Sequence, residues 1–316
     1  MKIGTARESY DRKPFLKIAL TGASGAGKTD WAARSPRPLI LLTEIQAFPS
    51  IVVANPEAVC VQIEKWADFR EAWAAITTGR PCEIETDAGE VQPALAVKLG
   101  GDEYTIQTVI VDTMTDLQRL AFASMIGADA GKVDRLDFDK ASNNLSIDKH
   151  GILISAAEEI WRQQRAIPCN TVFLTLATQK EDETGARQIL PMLTGSKLPY
   201  AMGQYFNASG LAQVRRTESG GLQHLIRWTS PSAAAICKPG PGWPALTVNS
   251  RTAGETTLGS LLRFTFPDLP VAALSSDSAS FVQAAPAVAA EPASFSLSAP
   301  AAQPVASVSP SRPRRA

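Results

Sequence analysis

The sequence predicts an α/β fold: a mostly parallel central sheet flanked by helices, with a C-terminal antiparallel hairpin extension and a disordered tail. Three observations lead there. Short apolar runs at Phe15–Thr21, Leu39–Thr43, Thr108–Val111 and Thr171–Thr178 alternate with segments whose apolar residues recur at helical spacing. Strands that are apolar on both faces belong in a sheet covered by helices on both sides. The first run leads straight into a glycine-rich stretch, and the composition changes abruptly near residue 268.

Taken in order, Phe15–Thr21 (FLKIALT) reads as a buried strand ending at that glycine-rich turn. Leu39–Thr43 (LILLT), bounded by Pro36 and Pro38, reads as a second strand. Glu64–Ile76 carries Trp66, Phe69, Trp73 and Ile76 at helical spacing, which predicts an amphipathic helix with its aromatics in the core. Residues 82–105 hold Asp87-Ala88-Gly89 and Gly100-Gly101 between short apolar stretches and read as an inserted β-hairpin. Thr108–Val111 (TVIV) is a β-branched strand followed by a helix from about Asp116. Residues 151–166, with Ile154, Ala157, Ile160 and Trp161, predict another helix, and Thr171–Thr178 a fourth buried strand. Leu211–Thr217 and Leu222–Thr229 flank Glu218-Ser219-Gly220-Gly221, a hairpin signal.

From Asp268 to Ala316, 14 Ala, 10 Ser and 7 Pro account for 31 of 49 residues. Regularly scattered prolines and absent apolar periodicity predict disorder there, so the expected organisation is a core over 1–267, with the insertion at 82–105, and a tail over 268–316. The tail ends in a small basic tip, Ser311–Ala316, read equally as a solvated terminus or a weak partner contact. The whole chain has 316 residues, with 31 Lys+Arg against 31 Asp+Glu. Removing the tail leaves 28 against 28, so no basic domain hides behind an acidic one. This balance excludes a strongly basic nucleic-acid binder, and any nucleic-acid contact must come from a local patch.

Cys60, Cys82, Cys169 and Cys237 lie far apart and form no CxxC pair, which points to reduced thiols in a cytoplasmic protein. With only His150 and His224, a histidine metal site or a Ser-His-Asp triad has little to draw on. The N-terminal residues MKIGTARESYDRKPF lack the apolar core of a signal peptide, and no apolar run approaches the roughly 18 residues of a membrane span. No membrane partner is expected.

The glycine-rich stretch is Gly22-Ala23-Ser24-Gly25-Ala26-Gly27-Lys28-Thr29, a match to G-x-x-x-x-G-K-[ST] in the strand–loop–helix setting that gives the motif meaning. Glycines let backbone N–H groups converge on an anion, and the following helix adds its positive end. The chemistry calls for ATP and Mg2+: Lys28 would bridge the β- and γ-phosphates, and the Thr29 hydroxyl would ligate the cation. Asp112, closing TVIVD, supplies the second carboxylate-side ligand of such a site, while Asp116 reads as a helix N-cap. No acid follows Asp112. Glu44 at the tip of LILLTE is the candidate for orienting the attacking water, with a solvated loop acid as the plain alternative. Gln179, after the fourth strand, is either a sensor of the γ-phosphate or an ordinary strand-end polar residue.

In combination these residues resemble the RecA-like ATPase core. The compact form, with the Leu193-Thr194-Gly195-Ser196-Lys197 segment downstream, looks like the phage AAA/RecA-type nucleotide-binding proteins, including the Sak-type single-strand-annealing ATPases. The resemblance spans about residues 14–230, and only its P-loop is specific by itself. It implies ATP-dependent binding of single-stranded DNA, a homo-oligomer along the strand, and work beside a single-strand-binding protein. It also makes Lys180–Lys197 a mobile DNA-facing loop, in which Lys180, Arg187 and Lys197 would touch phosphates or one of them would act in trans on a neighbour's nucleotide; an ordinary charged loop is the alternative. Tyr200, Tyr205 and Phe206 read as core aromatics more readily than as base-stacking groups, and Arg215, Arg216 and Arg227 as a basic or a salt-bridged sheet face. Two further readings stay open: a P-loop small-molecule kinase, for which no acceptor-binding cluster is evident, and a non-catalytic nucleotide-gated scaffold.

Overall fold

The structure is a computed structural model describing residues 15–85, 89, 91–126, 147–181, 185, 187–229, 237–240, 242–249, 258 and 261. The tail expected over 268–316 lies outside the described residues. Strands β1 (Lys17–Gly22), β2 (Pro38–Leu42), β3 (Val59–Gln62), β7 (Thr108–Asp112), β8 (Asn170–Glu181) and β10 (Ala208–Arg216) run parallel. β11 (Leu222–Arg227) and β12 (Leu246–Asn249) extend them antiparallel. Their order across the sheet is β12-β11-β10-β1-β8-β7-β2-β3, and β9 (Arg187–Pro191) pairs with the outer part of β8. The mostly parallel sheet expected of a RecA-like core is therefore present.

Both faces of that sheet are covered. Ala19, Leu39, Leu41, Val109, Val111 and Phe173 enter one core cluster; their neighbours Ile18, Leu20, Ile40, Ile110, Val172 and Leu174 enter the other. This is the period-2 alternation of a pleated strand with apolar residues on both sides, and it explains why the runs are mostly apolar throughout. The first cluster is sealed by α3 (Trp66–Thr77), α4 (Met114–Ile126), α5 (Ile147–Gln164) and α6 (Leu198–Tyr205) through Phe69, Trp73, Leu117, Trp161 and Met202. The second is sealed by α1 (Lys28–Ala33) and α2 (Phe48–Ala54) through Trp31 and Ile51, with Trp228 and Trp243.

Several expectations are corrected. The insertion is not one hairpin but a three-stranded antiparallel sheet, β4 (Arg80–Glu85), β5 (Val91–Leu99) and β6 (Asp102–Ile106), whose Leu95, Val97 and Ile106 close the first cluster. The segment after Gln179 is not a loop throughout. β8 continues to Glu181 and β9 returns along it, so Lys180 pairs with Gln188 and Glu181 with Arg187. Asp116 is not the cap of α4. The helix begins at Met114, and the Thr113 Oγ1 accepts the Asp116 N–H at 3.2 Å while its hydroxyl donates to Asp116 Oδ2 at 2.8 Å. Phe206 is buried and Tyr205 packs on Trp161 with ring centroids 5.4 Å apart, as core aromatics should. Tyr200 is instead exposed and donates to Gln188 Oε1 at 3.0 Å.

Candidate nucleotide site

The site lies where the parallel strands end at their C-termini. At Gly22, the last residue of β1, the neighbouring β10 passes very close: a Cβ at that position would sit 2.7 Å from the Ala212 carbonyl oxygen. The chain then turns through Gly25 (φ +75°) and Gly27 (φ +83°), left-handed values that side chains resist, and enters α1 at Lys28. The glycines are thus required by geometry as well as by the motif.

Lys28 is 6% exposed, and its Nζ donates to the Gly22 and Ala23 carbonyls at 2.8 Å each. Burial holds its pKa below the ordinary lysine value, opposed by the nearby charges of Asp112 and Glu44. Thr29 Oγ1 donates to Asp112 Oδ2 at 2.6 Å, joining residues 83 apart in sequence. Asp112 is 2% exposed, and burial pushes its carboxyl up, against the Thr29 hydrogen bond and the Lys28 charge. A buried hydroxyl–carboxylate pair of oxygens suits Mg2+, which takes one or two protein ligands and leaves its remaining positions to phosphates and water. Consistent with that sparse demand, no group of three or more His, Cys, Asp or Glu among the described residues is placed to hold a metal by itself.

Glu44 follows β2, and the tip of that strand is locked to β7. The Thr43 N–H and hydroxyl donate to the Asp112 carbonyl at 2.8 and 3.0 Å, and Thr43 Oγ1 accepts the Thr113 N–H at 2.9 Å. The Glu44 carboxyl is hydrogen-bonded to Asp116. Burial raises the Asp116 pKa, but hydrogen bonds from Glu44, Thr113 and Arg119 and the Arg119 charge together hold it below the usual aspartate value. Arg119 Nη1 anchors the other Asp116 oxygen at 2.5 Å.

Lys28, Thr29, Glu44 and Asp112 meet in one open cavity of about 550 Å³, floored by Ser24–Gly27. Gln179 does not join them: it is exposed, pairs with Ile189 in the β8–β9 ladder and is absent from the cavity lining. Arg187 is engaged by Glu181 at 3.3 Å, while Lys180, Lys197, Arg215 and Arg216 are exposed outside the cavity. The cavity is also lined by Leu222, Gln223 and His224 of β11, which the sequence did not single out for the site. No local motif marks them, because they arrive through sheet order.

Residues 15–142, which contain the glycine-rich loop and Asp112, match a family model described as an AAA domain. Among solved structures, the flagellar accessory protein FlaH from Methanocaldococcus jannaschii is similar at 10% identity with a TM-score of 0.34, over 78% of this chain and 92% of that one. No curated protein matches the chain. No helix among the described residues is long and apolar enough to cross a membrane.

Proposed function

We propose that this chain is a Mg2+-dependent ATPase of the RecA-like type whose nucleotide state controls binding to single-stranded DNA in phage-type recombination or annealing. The observation that carries the ATPase reading is the 2.6 Å contact of Thr29 with Asp112 beside the buried Lys28 amine. Lys28 would exchange its two carbonyl partners for phosphate oxygens, and Thr29 with Asp112 would hold the cation, which neutralises charge developing on the phosphates. Glu44, in the cavity lining beside the loop, would orient the attacking water.

The DNA reading is supported by the resemblance of the motif order to RecA-like ATPases and by the exposed cations Lys180, Lys197, Arg215 and Arg216. With 31 basic against 31 acidic residues, one copy offers few phosphate contacts, and a homo-oligomer along the strand multiplies them. Action in the cytoplasm fits the four free cysteines, and work beside a single-strand-binding protein is what the resemblance implies.

The test is phosphate release by the full chain with and without single-stranded DNA, paired with filter retention of labelled single strands with and without ATP. We expect DNA-stimulated turnover that Lys28→Met abolishes, and ATP-dependent retention that falls as salt rises. Turnover unaffected by Lys28→Met overturns the ATPase reading. Absence of ATP-dependent retention at low salt overturns the DNA reading and leaves the ATPase standing.

A further inference from the structure

The cavity has two unlike ends. Across the sheet the relevant order is β7, β8, β1, β10, β11, so four inter-strand steps separate the strand of Asp112 from that of His224, about 19 Å at the usual strand spacing. One end carries Lys28, Glu44 and Asp112, the groups for phosphate and cation; the glycine-rich loop crosses the middle; the far end is Leu222, Gln223 and His224. A nucleotide with its terminal phosphate at the carboxylates must extend its sugar and base towards β11.

The hairpin is built to meet it. β10 pairs with β1 only from Ala208 to Ala212, so Gln213–Arg216 and their partners on β11 project past the end of β1, on the order of 13 Å of strand beyond the loop. Alternation assigns the faces. Ala212, Ile226 and Trp228 point into the cluster that contains Trp31 of α1, and Val214, His224, Arg216 and Leu222 continue the same face outward. That outer portion is open: Leu222 is 66% exposed and Val214 41%, while His224 is half-buried. The result is a partly apolar strip beside a phosphate site. His224 Nδ1 also lacks a hydrogen-bond partner among the described residues, and the same alternation puts Gln223 on the opposite face of β11.

We infer that the tip of the β10–β11 hairpin is the nucleobase wall of the site, with Leu222 lying against the base and His224 reading its polar edge. This rests on the nucleotide-site reading above and adds its base-recognising residues. Because Leu222 is exposed, replacing it leaves the core intact, and the loss it causes is confined to ligands that carry a base.

The experiment is calorimetric titration of the full chain, wild type and Leu222→Ala, Leu222→Met, Gln223→Ala and His224→Ala, with the Mg2+ complexes of ATP, GTP, CTP and inorganic tripolyphosphate. Expected are an approximately tenfold weaker ATP affinity in Leu222→Ala, the share of a leucine side chain buried against a ring, with recovery in Leu222→Met. A changed ATP-to-GTP ratio is expected in His224→Ala and an unchanged one in Gln223→Ala, with tripolyphosphate binding within twofold of wild type in all four. Equal losses for ATP and tripolyphosphate overturn the inference, since the hairpin would then act on the loop. Unchanged nucleotide affinities in every variant overturn it too, with the phosphate site intact. If even tripolyphosphate fails to bind the wild type, the nucleotide-site reading itself falls and takes the wall with it.

Discussion

Replacing Lys28 with Met should separate the stability of the fold from the stability conferred by nucleotide. In the free chain the Lys28 amine is 6% exposed and bonded to two carbonyls, and burial holds its pKa low, so its charge is carried at a cost. Met removes that cost and two hydrogen bonds of about 1 kcal/mol each, and the opposing effects leave the free variant within about 2 kcal/mol of wild type. With nucleotide the balance changes. Two charge-assisted bonds to phosphate contribute about 1.5–3 kcal/mol each against about 1 kcal/mol for each carbonyl bond they replace, a net of about 1–4 kcal/mol, so their loss weakens binding on the order of 5- to 10³-fold.

The assay is thermal unfolding with MgATP at one hundred times the wild-type Kd. Linkage stabilises the wild type by about 2.7 kcal/mol, a rise of roughly 5–10 °C for a domain of this size. At the same concentration Lys28→Met, its ligand-to-Kd ratio reduced to about 20 or below, gains under about 1.8 kcal/mol, or roughly 4–7 °C at most. A variant that keeps the full rise would show that phosphate does not reach Lys28. A free variant that melts more than about 10 °C lower would show that the amine is chiefly a structural pin.

Two further outcomes follow from the same network. Thr29→Ala and Asp112→Asn should weaken ATP binding by at least about tenfold when Mg2+ is present and little when it is chelated, read by titration in both conditions; equal losses in both would remove the cation from the assignment. The Asp116 pKa is lower in the folded chain than in the unfolded one, so its contribution to stability is complete above the unfolded value near pH 4 and is lost as pH falls through the folded value. Acid unfolding monitored below about pH 4 should therefore be less steep in Asp116→Asn than in wild type, and identical pH profiles would refute the sign.

What the sequence revealed depended on whether the signal was contiguous. Gly22–Thr29 is a single run, and β1, β2, β7 and the inner part of β8 are apolar on both faces, so each can be read in place. The outer β8 and β9 are different: Gln179, Lys180, Glu181 and Arg187 are exposed, and the ladder between them is held by backbone bonds that leave no hydrophobic pattern. α2 reads as FPSIVVA, with a proline at its start, two exposed valines and only Ile51 buried, too short for periodicity to show. The cap of α4 was ambiguous because Thr113 and Asp116 both carry capping oxygens, and only packing decides which meets the free N–H. The β11 wall is least legible of all. Its residues lie about two hundred positions from the loop, and their approach depends on β10 entering the sheet beside β1.

That approach matters because the phosphate end of the site is already engaged. Lys28 holds two carbonyls, Thr29 holds Asp112, and Glu44 holds Asp116. Ligand binding at that end is an exchange of partners, and exchanges of hydrogen bonds yield only the difference between old and new. A charged phosphate oxygen outcompetes a neutral carbonyl, but the margin is smaller than the number of contacts would imply. Apolar contact with Leu222 displaces no existing protein partner, so the far wall adds affinity without that subtraction. Its position is fixed at low entropic cost. Trp228, at the root of the hairpin, packs on Trp31 of α1 at 5.9 Å between ring centroids and on Trp243 at 4.7 Å, and its Nε1 donates to Thr247 at 3.1 Å. The helix that follows the phosphate loop and the strand that carries the base wall therefore share one buried joint, and the two ends of the cavity are held in register before any nucleotide arrives.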